Sequence, residues 1–94
     1  MTYQLSKEAE QDVLDIFVHT TEEFGLNQAE SYHDKLAACF EFLAENPTAA
    51  PVREEITPPV RIHPVGAHII VYREEPTGEI LIIRVRHQHE NWIP

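Results

Sequence analysis

At 94 residues, 43% of them hydrophobic, the chain has the length of one domain and a globular rather than a disordered composition. Its net charge of −9 sets 16 acidic residues against seven basic ones, which repels phosphate backbones at long range and disfavours a nucleic-acid ligand outside a local basic patch. Cys39 is the only cysteine, so no internal disulfide forms, and neither a membrane-length apolar run nor a secretory leader is evident. A cytoplasmic protein is the expectation.

Tyr3-Gln4-Leu5 is a short alternating strand, and Ser6 is placed to cap the helix that follows. That first helix extends to Phe24. Ala9, Val13, Ile16, Phe17, Thr20 and Phe24 share one stripe, while Glu8, Glu10 and Asp12 crowd the first turn, where the helix dipole favours anions. Gly25-Leu26 is a tight link. A second helix is predicted to begin at Asn27, with Glu30 completing a capping box, and to end before Pro47. Ala29, Tyr32, Leu36, Cys39, Phe40 and Leu43 recur at spacings of three and four along it, so the two helices should form an antiparallel hairpin with apolar area left over for a sheet. Cys39 is expected to act as a small buried hydrophobe, and Tyr32 as a core residue with a wet hydroxyl.

Pro51, Pro58 and Pro59 mark residues 47 to 59 as a surface loop. Val60 to His63 then alternates as a strand, Pro64-Val65-Gly66 suggests a turn, and His68 to Arg73 is rich in β-branched and aromatic residues. Glu75-Pro76-Thr77-Gly78 suits a type I turn into a last strand, Ile80 to His87. Strict alternation there puts Leu81, Ile83, Val85 and His87 on one face and Ile80, Ile82, Arg84 and Arg86 on the other, with both arginines directed away from the helices. The fold class is α+β: an N-terminal strand, a helical hairpin and a three-stranded antiparallel sheet, in the order β-α-α-β-β-β across residues 1–94. Charge divides unevenly over it. Residues 1–50 carry ten acids and two lysines, a balance of −8, and residues 51–94 carry six acids and five arginines, a balance of −1.

Three runs in order carry a resemblance: FG-x-x-QA-x-x-Y at Phe24 to Tyr32, R-x-H-P-x-G-x-H at Arg61 to His68, and RV-x-H at Arg84 to His87. With them the chain resembles, over nearly its whole length, the ParE branch of the RelE/ParE superfamily of toxin–antitoxin toxins. The resemblance implies a helical hairpin against a twisted antiparallel sheet. It also implies a toxin that inhibits DNA gyrase by binding, without catalysis and without a cofactor, and that a cognate ParD-like antitoxin neutralises by wrapping it. Two features depart from the family pattern: its members are usually basic or near neutral, and the residue before the terminal histidine is usually apolar where this chain has Arg86.

Arg61, Arg84, Arg86, His87 and Trp92 are the candidate contacts to the target. Arg84 and Arg86 serve equally well as charges that keep a sheet face soluble, and Trp92 either folds back or anchors a partner. Leu14 and Val18 lie off the core stripe of helix one and are the candidate antitoxin anchors. No metal is expected, since the pairs His87/His89 and His63/His68 fall short of the three or four ligands a zinc site needs. Beside the gyrase inhibitor stand a RelE-like ribonuclease cleaving mRNA on the ribosome, with the arginines on phosphate and His87 or His89 in acid–base work, and a non-toxic module that only binds antitoxin.

Overall fold

The computed structural model describes residues 2–89. The chain runs β1 (Tyr3–Leu5), α1 (Lys7–Phe24), α2 (Leu26–Glu45), β2 (Val52–Arg53), β3 (Val60–Val65), β4 (His68–Glu74) and β5 (Ile80–His87). This is the α+β order expected from the sequence, with the sheet extended at both edges. Its strand order is β1-β5-β4-β3-β2, antiparallel except that β1 runs parallel to β5. No described helix is long and apolar enough to cross a membrane.

The helical hairpin forms largely as its pattern requires. Ser6 caps α1, its hydroxyl accepting from the Ala9 amide at 3.0 Å. The second cap differs from expectation. Gly25, at φ +91°, ends α1 and begins α2 at once, so α2 starts at Leu26 with no side-chain cap and the box at Asn27 and Glu30 does not form. One glycine outside the region open to other residues replaces two caps, because it reverses the chain in a single step. Ala29, Leu36, Phe40 and Leu43 are buried, while Tyr32 and Cys39 are half-buried beside them. Phe24 leaves the stripe at the tip and is 68% exposed.

The sheet departs from the sequence reading in three places. β3 continues through Pro64 to Val65, and the turn is Gly66-Ala67. Proline is tolerated because β2 pairs only with Val60 and Arg61, so Pro64 lies on an open edge. β2 itself is a two-residue strand within the loop expected over 47 to 59. In β5 the alternation breaks: Tyr72 pairs with Ile82 but Val71 pairs with Arg84, which leaves Ile83 as an extra residue. Ile80, Ile82 and Val85 therefore all face the helices, with Ile70, Tyr72 and Val65, in one core cluster. Ile83 joins Ile56, Val60, Ile62, Ile69 and Val71 in a second cluster on the opposite face, which the loop before β3 helps to cover.

Candidate functional site

The bulge at Ile83 sets up the first site feature. β1 pairs with β5 only as far as Ile82, so beyond that point β5 would present an unpaired edge. The start of α1 closes it. The Ser6 amide donates to the Ile82 carbonyl at 2.9 Å and the Ser6 hydroxyl to the Ile83 carbonyl at 2.7 Å. Further along α1, the Asp12 carboxylate accepts from the Val85 amide at 3.0 Å and takes the Arg84 guanidinium in two bonds, from Nε at 2.8 Å and from Nη2 at 2.9 Å. Arg84 is thus clamped to α1. The sequence reading directs it away from the helices, and its pairing with Val71 does put it on the sheet face of the second cluster; it meets α1 around the edge of β5, beyond the point where β1 stops pairing. Asp12, noted in the sequence only as a first-turn acid, is the functional partner that pattern reading missed.

The second feature joins the motif runs. Tyr32, the last residue of the first run, extends from α2 onto the Gly66-Ala67 turn. Its hydroxyl lies 3.2 Å from the Val65 carbonyl, 2.6 Å from His68 Nδ1 and 3.1 Å from the Ala67 amide, which donates to it. All three contacts are hydrogen bonds at once when His68 donates from Nδ1 and the phenol donates to Val65. Gly66 is required twice: it sits at φ +55°, and a Cβ there would fall 2.7 Å from the tyrosine ring. His87, which ends the third run, pairs with His68 across β4 and β5 and meets its ring edge-on at a centroid distance of 5.4 Å. Gln88 secures the strand end through its amide to Ala67 and its side chain to Gly66. Burial foremost pushes the Tyr32 phenol above its ordinary pKa, although the Ala67 amide pulls the other way, so it holds its proton at neutral pH. The signal for this junction was in the sequence, as three motif runs read separately.

The remaining candidates are dispersed. Arg61 donates to the Ala50 carbonyl at 2.6 Å and to Glu74 at 2.8 Å, two strands away from β5. Arg86 pairs with Ile69 and so shares the sheet face of the second cluster, opposite the helices. Trp92 lies outside the described residues. Leu14 and Val18, one helical turn apart, are 54% and 47% exposed on α1. Among the described residues no group of three or more histidine, cysteine or carboxylate side chains is arranged to hold a metal ion.

The sequence model of the family described as the ParE toxin of the type II toxin–antitoxin system parDE matches residues 3–92. Toxin ParE1 of Caulobacter vibrioides is 35% identical over 89 residues, covering 95% of this chain and 91% of that protein. Toxin ParE1 of Mycobacterium tuberculosis is 34% identical over 86 residues, covering 92% and 88%. A solved structure described as the chromosomal ParDE TA system from P. aeruginosa superposes with a TM-score of 0.79 at 19% identity, covering 93% of this chain and 95% of that one, and so shares the fold.

Proposed function

The chain belongs to the ParE toxin family of type II toxin–antitoxin systems, and from that membership we propose that it inhibits DNA gyrase by binding, with the end of β5 and the residues after it as the contacting element. A ParD-like antitoxin neutralises it by laying an amphipathic helix over Leu14 and Val18. The observation that carries the binding mode is the commitment of the arginines. Arg61 is paired with Glu74 and Arg84 with Asp12, so two of the three arginines that a ribonuclease would direct at the scissile phosphate are already committed within the chain. The Tyr32 hydroxyl, in contact with His68, is held in its protonated form by burial and is a poor base. The family name and the ParDE composition of the structural neighbour support a ParD-type partner.

The test is a supercoiling assay with purified gyrase, run beside an mRNA cleavage assay on translating ribosomes. Loss of supercoiling without cleavage, reversed by the co-expressed antitoxin, is the expected result. Intact supercoiling with codon-positioned cuts would overturn the reading in favour of the ribonuclease, and a folded, antitoxin-free protein with neither activity would favour the antitoxin-binding module.

A further inference from the structure

Beside the Tyr32 junction, between the tip of the hairpin and the ends of β4 and β5, lies an open groove of about 600 Å³ lined by His19, Thr20, Phe24, Gln28, Ser31, Tyr32, Lys35, Ala67, His68 and His87. This volume falls within the range of roughly 300–1,000 Å³ typical of ligand sites. The charge of the groove is the opposite of the molecule's. Sixteen of 94 residues are acidic, yet none of the ten lining residues is, and Lys35 is one of only two lysines in the chain. Lys35 is exposed and belongs to none of the ion pairs among the described residues. Phe24 adds an aromatic face that is 68% exposed, and Thr20, Gln28 and Ser31 add hydrogen-bonding groups along the rim.

We propose that this groove binds a short segment of a partner protein in which a carboxylate stands next to a large apolar side chain, the carboxylate on Lys35 and the apolar group against Phe24. Charge complementarity selects the occupant. One permanent cation matches one carboxylate, whereas a nucleic-acid backbone would bring a row of charges to a chain of net charge −9 with no arginine in the groove. A bare anion would leave Phe24 in water, and a purely apolar segment would bury the lysine without a partner. The groove contains neither Leu14 nor Val18; it shares His87 with the end of β5 that is proposed to meet gyrase, and peptide binding is measured without gyrase, so either reading can fail alone.

The full chain, isotopically labelled, is titrated by NMR with N-acetyl-Glu-Trp-Glu-amide, with its glutamine analogue N-acetyl-Gln-Trp-Gln-amide, and with inorganic phosphate. The acidic peptide is expected to give saturable shifts at Lys35, Ala67 and His68. Its affinity should fall by roughly threefold in Lys35→Gln, the size of an exposed ion pair, and by more in Phe24→Ala. Both positions are exposed, so both variants keep the fold, and an unchanged spectrum away from the groove confirms it. An absence of saturable shifts at millimolar peptide would overturn the proposal, as would equal binding of the glutamine analogue or the same shifts with phosphate alone.

Discussion

The two ends of the helical hairpin do different work. At the end where α1 starts and α2 finishes, Phe40, Leu43, Ala44, Ala50 and Tyr72 are between 0 and 4% exposed, and two loop carbonyls are tied down, Pro47 by the Tyr72 hydroxyl at 2.9 Å and Ala50 by Arg61. Tyr3 packs on Phe40 there, with ring centroids 5.5 Å apart. At the tip, Phe24 and Leu26 are 68% and 55% exposed, α2 starts without a side-chain cap, and a single tyrosine hydroxyl bridges helix and sheet beside an open groove. Apolar side chains at the first end stabilise the fold; at the second they are left to meet something else. The amphipathic stripe alone does not show this, because it runs on to Phe24 without distinguishing a side chain that finds a sheet beneath it from one that does not.

The largest effect should come from the packed end. Phe40→Ala is expected to cost about 3–5 kcal/mol and Leu43→Ala about 2–5 kcal/mol in chemical denaturation, whereas Phe24→Ala should change stability by no more than about 0.5 kcal/mol. A Phe24 cost comparable to that of Phe40 would abolish the distinction.

Next in size is the edge clamp. Asp12→Ala removes the acceptor for the Val85 amide and for Arg84 together, and should cost about 1–3 kcal/mol. Arg84→Ala should cost less, since that side chain is 36% exposed and keeps partial access to water. A double-mutant cycle on the two positions is expected to show coupling of about 0.5 kcal/mol or more, and additivity would mean that the carboxylate serves the strand edge alone.

Alkaline titration separates the two tyrosines from the rest of the molecule. Burial foremost raises both Tyr32 and Tyr72 above the ordinary value of 10.0. Each phenol therefore keeps its proton longer in the folded state than in the unfolded one. Their contribution to stability is whole below pH 10 and declines as the pH rises through 10 and then through the folded-state values. Tyr32→Phe with Tyr72→Phe should flatten that decline in thermal melts, and an unaltered slope would assign it to other groups. Smallest in stability, within about 0.5 kcal/mol, should be Leu14→Glu and Val18→Glu. Antitoxin affinity, measured by calorimetry, is where their effect should appear, as a loss of tenfold or more; unchanged affinity would move the docking surface elsewhere.

Much of this architecture was legible from the chain. Helical spacing gave α1 and its Ser6 cap, and turn chemistry gave the β4–β5 hairpin, where the Gly78 amide closes on the Glu75 carbonyl at 3.0 Å. What alternation could not give was the extra residue at Ile83, since a bulge is set by how two strands pair and not by either strand's own pattern. That single residue puts Ile80, Ile82 and Val85 together on the helix side and Ile83 on the other, and neither strand's pattern shows the bond from Arg84 around the sheet edge to Asp12, 72 positions away. The junction at Tyr32 was hidden for a related reason. Gly66, His68 and His87 were each visible in a motif, but only the sheet register brings the histidines opposite one another beneath the tyrosine.

Native-state hydrogen exchange tests the division between the two ends most directly. The backbone amides of Leu43, Ile70 and Tyr72 should exchange only through global unfolding, with opening free energies equal to the stability from denaturation. The Ala67 and Gln88 amides, held at the turn by one hydroxyl and one carbonyl, should open at a distinctly lower free energy, and Tyr32→Phe should lower that of Ala67 further while leaving Ile70 and Tyr72 tied to global stability. Equal opening free energies at both ends would contradict the division, and the tip would then be as much a part of the stabilising core as the end around Tyr72.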